Sequence, residues 1–271
     1  MFIETYLDSL PEDTKEINVF GKGIKNLDVS RFKNLKKLNC SNNLLTSLHL
    51  NENLQTLYCS NNLLTFLHLN ENLQTLYCNN NLLTCLQLNE NLQTLYCNNN
   101  QLTSLHLNEN LQTLYCYHNL LTSLRLNENL QTLYCSHNLL TSLHLNENLQ
   151  TLYCHYNLLT SLHLNENLQK LYCHYNLLTS LHLNENLQTI VYNDTPIYEI
   201  INSHMIDTIT RKIRVLNQFK YLYYCLKFKK QFRDLLWVKI REPKIRKKYS
   251  HDYLVEHLHE DTDLDELLNN W

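Results

Sequence analysis

The chain has 271 residues, a formal charge of −3, 18% charged residues and 44% hydrophobic ones. No apolar run approaches the length of a bilayer span, and Met1–Leu10 has no basic stretch ahead of an apolar core, so the sequence predicts neither a membrane span nor a secretory signal. Only two Gly and three Pro are present, so turns must come from other residues, and Asn is the abundant candidate.

In chain order, MFIETYLDSLPED reads as a short helix or turn before Pro11. Ile17-Asn18-Val19 and Leu27-Asp28-Val29 then alternate in-out-in, as half-buried strands do. The same two triplets return as Leu38-Asn39-Cys40 and Leu48-His49-Leu50. From there the step shortens slightly and becomes constant, the first triplet starting at Leu38, Leu57, Leu76 and so on. Lys22 stands where Asn43 stands in the next copy, beside Gly21 and Gly23, which suits a terminal coil facing solvent. Residues 1–33 are therefore read as an N-terminal cap and degenerate first coil.

From Asn34 to Glu185 eight equal copies run without a gap, opening at Asn34, Asn53, Asn72 and onward to Asn167, and a ninth decays from Asn186. One copy reads L-x-x-L-x-C-x-x-N, then L-x-x-L-x-L-x-x-N, as in Leu54 to Asn72. A fixed period near 20 with this spacing is the mark of a solenoid whose coils bury their apolar faces against one another. Six buried apolar side chains contribute roughly 9–18 kcal/mol, whereas ordering the backbone of one coil costs about 19–38 kcal/mol. A single coil therefore cannot stand alone. Two strand triplets per coil predict two short parallel strands, stacked into two sheets of a nearly straight, mainly β solenoid. Asn43, Asn62, Asn81, Asn100, Asn119, Asn138, Asn157 and Asn176 recur after the first triplet, and Asn34, Asn53, Asn72 and their successors after the second. Stacked Asn amides can satisfy backbone groups that a buried turn cuts off from water.

The repeat sorts its other residues into columns. Cys40, Cys59, Cys78, Cys97, Cys116, Cys135, Cys154 and Cys173 share one inward position, where parallel Cβ vectors predict buried thiols rather than disulfides. Tyr58, Tyr77, Tyr96, Tyr115, Tyr134, Tyr153 and Tyr172 line the outer face of the first triplet. His49, His68, His106, His144, His163 and His182, interrupted by Gln87 and Arg125, line the second. The copies differ mainly at two residues after Cys: Ser-Asn or Asn-Asn in the early coils, then Tyr117-His118, Ser136-His137, His155-Tyr156 and His174-Tyr175. Aromatic rings give large contact area at low entropic cost, so the Tyr column with Tyr117, His118, His155, Tyr156, His174 and Tyr175 forms the candidate partner-binding face. The bland reading of the same column is a cross-strand ladder that stabilises the sheet. No triad, phosphate loop or CxxC pair is present, so no catalysis, metal or cofactor is expected.

After Ile201 the apolar period becomes helical, with Val215, Phe219, Leu222 and Leu226 in one stripe. Domains are therefore expected at 1–33, 34–201 (the solenoid) and 202–271 (a helical segment). That last segment is basic, then acidic: 14 of the 23 Lys and Arg lie in Arg211–Lys248, and seven acids lie in His251–Trp271. The run at 227–248, with Phe228, Phe232 and Trp237 interleaved, suits nucleic acid or an anionic surface; its alternative is pairing with the acids downstream.

The first half-repeat resembles the leucine-rich-repeat consensus LxxLxLxxNxL, with Cys for the third Leu, and the nested second half resembles the short IRREKO subclass. The chain with its tail is similar to leucine-rich-repeat proteins of mimivirus-type giant viruses. That resemblance implies a protein-interaction module without catalytic motifs; the residues point to binding of a protein partner through one outer face, and the lack of a secretory signal to the host cytoplasm or virion. The competing expectation is a structural or decoy repeat whose basic segment does the binding.

Overall fold

A computed structural model describes residues 3–197. The expected helical segment at 202–271 and its basic run at 227–248 lie outside the described residues, as do the last four positions of the 34–201 solenoid. The chain winds as a parallel β-solenoid with a 19-residue repeat. Strands Glu16–Asn18, Lys37–Asn39, Thr56–Tyr58 and so on to Thr189–Val191 pair in register into one ten-stranded parallel sheet. Each pair joins equivalent residues of neighbouring coils, as Leu95 with Leu114 and Tyr96 with Tyr115. The ladder spans Thr56–Tyr58 rather than the Leu57–Cys59 triplet read from the pattern, but Leu57 and Cys59 both point into the core and are fully buried.

The second triplet behaves differently. It pairs between Asn26–Asp28 and Ser47–His49, and between Leu162–His163 and Leu181–His182, with a single bridge from His144 to His163. Among the described residues, no ladder joins the second legs of the coils between these ends. The two legs also differ in burial. Leu57 and Cys59 are both fully buried, whereas in the second leg Leu67 is buried and Leu69 only partly so. Shallow grooves open between neighbouring second legs, such as the one lined by Ser104, His106, Ser123 and Arg125.

The turn after the first strand is locked by Asn. Asn119 Nδ2 donates to the carbonyls of Cys97 and Cys116 at 3.1 and 3.0 Å, and its Oδ1 accepts the Leu102 N–H at 3.0 Å. The same three bonds recur at each such position from Asn62 to Asn176. At the N-terminus, Asn43 Oδ1 accepts the N–H groups of Lys22 and Ile24, so the cap coil is tied in despite lacking its own Asn. In the second turn the sequence pointed to Asn53 and Asn72, and here the structure differs. Asn72 is exposed and donates to the Glu52 carbonyl, while the inward column is Asn51, Asn89, Asn108, Asn127 and their equivalents, two residues earlier in each copy. Asn127 Nδ2 donates to the Asn108 and Leu111 carbonyls, but its Oδ1 has no protein partner among the described residues.

Helix Ile3–Asp8 closes the N-terminal end by burying Leu7, with Ile3, Tyr6 and Leu10 against the core. Arg31 holds Asp8 at 2.8 Å across this junction. Among the described residues, no helix is long and apolar enough to cross a membrane.

Candidate partner-binding face

Parallel pairing in register puts equivalent side chains directly above one another, so a residue repeated once per coil becomes a stack. The Tyr column does so along its whole length. Ring centroids are 4.7 Å apart at Tyr58–Tyr77, 4.4 Å at Tyr77–Tyr96, 4.2 Å at Tyr96–Tyr115 and at Tyr115–Tyr134, and 4.1 Å at Tyr134–Tyr153 and Tyr153–Tyr172. Interplanar angles of 7–14° make these face-to-face stacks, so each ring face is covered by its neighbour and solvent meets edges and hydroxyls. Burial, then the stacked neighbours Tyr115 and Tyr77, push the Tyr96 phenol up to about 12. Tyr134 is raised further, again chiefly by burial.

The two residues after Cys form further columns. His118 stacks on His137 at 4.1 Å, His137 on Tyr156 at 4.3 Å and Tyr156 on Tyr175 at 4.3 Å. Beside them His155 stacks on His174 at 4.4 Å, and an edge contact at 6.5 Å links His155 to Tyr153 of the long ladder. Ser136 Oγ meets His155 Nδ1 at 2.8 Å. Burial pulls His155 down to about 4, with His174 and His137 adding to the effect, and burial also lowers His137 and His174. The structure thus brings Tyr117, His118, His155, Tyr156, His174 and Tyr175 to one edge. It adds His137, which sequence reasoning left out although it links the histidine and tyrosine halves of the stack.

The second of these columns also has a backbone signature. Asn42, Asn61, Asn80, Asn99, His118, His137, Tyr156, Tyr175 and Asp194 all have φ between 50° and 57°, and Gly21 holds the same place in the cap coil. Asn, Asp, His and Gly adopt this left-handed conformation more readily than other residues, whereas for the bulky rings of Tyr156 and Tyr175 it is an outlier. A little further along the chain, past the Asn ladder, an exposed ridge runs Leu44, Leu63, Leu82, Leu120, Leu139, Leu158 and Leu177, broken at Gln101. Rings and ridge coincide only from Tyr117 to Leu177.

The remaining chemistry is inert by comparison. Cys40 to Cys173 form a buried column of free thiols, each pushed up by burial, and only Cys85 among the described cysteines is exposed. The expected His column on the second leg makes no stacked pair among His49, His68, His106, His144 and His163 in the described residues; His68 instead meets Phe66 edge-on at 4.8 Å. Among the described residues, no group of three or more His, Cys, Asp or Glu is placed to hold a metal ion.

A solenoid of parallel strands on one side, inward leucines and an Asn ladder at the turn is the leucine-rich-repeat fold, and solved structures agree. The functional domain of InlJ from Listeria monocytogenes, which includes a cysteine ladder, is similar with a TM-score of 0.54 and 26% identity, over 66% of this chain and 53% of that one. YopM from Yersinia enterocolitica is similar with a TM-score of 0.53 and 26% identity, over 67% and 49%. YopM from Yersinia pestis, a leucine-rich effector protein, gives a TM-score of 0.55 at 25% identity, over 67% and 66%. The chain therefore spans about half of the first two structures it matches. No family model matches it, and no curated protein does.

Proposed function

We infer that the protein is a non-catalytic interaction scaffold that binds a protein partner through the Tyr column and the aromatic edge from Tyr115 to Tyr175. The observation that carries this reading is the placement of Tyr156 and Tyr175 at left-handed backbone positions that the earlier coils fill with Asn, stacked in one column with His118 and His137. Rings placed at a conformational cost, next to exposed leucines, are what an interface needs and what a merely repetitive coil does not. The likeness to an effector protein and to an InlJ functional domain adds general support for an interaction role. In this reading residues 1–33 cap the solenoid of 34–201, the segment 202–271 is a separate unit, and the setting is the host cytoplasm or virion.

The test is capture from host-cell extract by the full chain and by a Tyr156→Asn, Tyr175→Asn variant, whose replacements match Asn42, Asn61, Asn80 and Asn99 of the early coils. Partners lost by the variant but kept by a Gln87→Ala control on the opposite leg support the reading; identical partners for all three refute it. The basic run at 227–248 supports a second reading, binding of nucleic acid or anionic surfaces, because it concentrates the chain's positive charge among Phe228, Phe232 and Trp237. Salt-insensitive or absent retention of the full chain on RNA and on anionic vesicles counts against it.

A further inference from the structure

The four variable pairs of the aromatic edge follow an order with two-fold character. Their first residues are Tyr117, Ser136, His155 and His174, and their second residues are His118, His137, Tyr156 and Tyr175. Each pair holds one imidazole and one hydroxyl, and the order of the two reverses halfway, between His137 and His155. A two-fold axis across the edge at that midpoint would bring His118 opposite Tyr175 of a second copy and His137 opposite its Tyr156. Each contact then occurs twice, because in an isologous interface residue i meets j and j meets i. The first-residue column obeys the same operation, with Tyr117 against His174 and Ser136 against His155. So does the exposed ridge, with Leu120 against Leu177 and Leu139 against Leu158.

We propose that this edge is the interface between two antiparallel copies of the chain. Tyr156 and Tyr175 are each 42% exposed, and the four leucines between 43% and 51%, so an apolar strip with hydrogen-bonding ring edges stands open. The stacked rings lie 4.1–4.3 Å apart along it, and a second solenoid carries the same axial repeat, so every ring meets an equivalent neighbour. An α-helix, advancing about 5.4 Å per turn, drifts out of step by roughly half a turn over four coils. Bases, sugars and prolines bind ring faces, and those faces are already covered by the stack. Imidazole nitrogens and phenol oxygens at the ring edges can pair with each other. At the centre, Ser136 is buried and already joined to His155 in its own chain, so this pair stiffens the edge. The contacts across the axis fall to the second-residue column and the leucines. Outside the patch the equivalent positions are polar, Asn98-Asn99 and Gln101 on one side and Asn193-Asp194 on the other, which supplies the rim. Four coils span about 19 Å at one strand spacing each, less than a standard interface of about 800 Å² per partner requires, so the dimer is weak and reversible.

This inference rests on reading the edge as a binding surface, but its test needs no partner protein and so fails or succeeds separately from the capture experiment. Sedimentation of the full chain should show a monomer–dimer equilibrium, and Tyr156→Asn with Tyr175→Asn should weaken association at least tenfold. In a background carrying Cys85→Ser and Cys225→Ser, His118→Cys combined with Tyr175→Cys should give a covalent dimer under mild oxidation. Within one chain those sites lie three coils apart, about 14 Å, beyond the Cα span of a disulfide, so the bond must join two copies. Neither substitution alone should crosslink, because each site would face a residue without a thiol. A monomer at every concentration, failure of the double variant to crosslink, or crosslinking by a single variant at the double variant's rate overturns the proposal.

Discussion

Replacing Asn119 by Ala deletes three hydrogen bonds, but not three bonds' worth of stability. The Cys97 carbonyl keeps Asn100 Nδ2 at 3.0 Å and the Cys116 carbonyl keeps Asn138 Nδ2 at 3.0 Å, because each ladder carbonyl is served from two coils. What is left orphaned is the buried Leu102 N–H, which donates to Asn119 Oδ1. An unpartnered buried donor costs about 1–3 kcal/mol, or a fall in melting temperature of roughly 2–12 °C for a chain of this size. Asn119→Asp is nearly isosteric and keeps that acceptor, yet it turns a carboxylate oxygen toward two carbonyls. An uncompensated buried charge costs about 3–5 kcal/mol, so Asp should be worse than Ala at neutral pH. Burial raises the folded-state pKa of such a carboxyl above its unfolded value. Relative to the parent chain, the Asp variant should therefore be least destabilised below about pH 4, and its deficit should grow as pH rises through the folded pKa. Asn127→Ala should cost less than Asn119→Ala, because it removes an Oδ1 with no protein partner among the described residues along with two donor bonds to carbonyls. Urea melts of the full chain at acid and neutral pH, followed by circular dichroism, measure all three. Equal losses at 119 and 127, or an Asp variant as stable as the Ala variant and indifferent to pH, would refute the ladder energetics.

Three further outcomes are expected. Alkylation of the native protein, read by mass spectrometry, should modify Cys85 while Cys40, Cys59, Cys78, Cys97, Cys116, Cys135, Cys154 and Cys173 react only after unfolding, since burial raises their pKa values. His155 is pulled down to about 4 by burial, so it contributes stability above its unfolded pKa that is lost as pH falls from about 6.5 through 4. Near-ultraviolet circular dichroism should show the aromatic edge loosening over that window, and His155→Gln should flatten the transition. Asn42→Ala should destabilise by about 1–2 kcal/mol, because Ala dislikes φ of 57°, while Asn42→Gly should be nearly neutral; equal melting of the two would count against backbone strain at this position.

The first sheet was legible because Leu57 and Cys59 alternate with a polar-faced Tyr and recur at the same step in every copy, a pattern that only stacked parallel strands satisfy. The second sheet was less so. Leu67-His68-Leu69 alternates just as well, but alternation reports which way side chains point, not whether neighbouring legs lie within hydrogen-bonding reach. The buried second turn was placed two positions late, at Asn53 rather than Asn51, since both are Asn in every copy and composition cannot separate them. The left-handed column did leave a trace: Gly21, Asn42, Asn61, Asn80, Asn99 and Asp194 are all residues that tolerate positive φ, at one place in the repeat. Read as a column rather than as variable surface pairs, it would have marked Tyr156 and Tyr175 as exceptions and drawn His137, in the same column, into the candidate face.

Those exceptions bear on why the coils differ at all. Left-handed geometry costs an ordinary residue about 1–2 kcal/mol, so Tyr156 and Tyr175 forgo roughly 2–4 kcal/mol that Asn and His largely avoid. Three stacked contacts, His118–His137, His137–Tyr156 and Tyr156–Tyr175, return about 0.5–1.5 kcal/mol each. The two sums are of the same size, so stability alone gives no reason for the rings. Asn42, Asn61, Asn80 and Asn99 show that the repeat folds with Asn there, and duplication of those coils alone would have carried Asn forward. A substitution made in four successive coils, twice against the conformational preference, always to an imidazole or a phenol and always beside an exposed leucine, gains a surface rather than a fold.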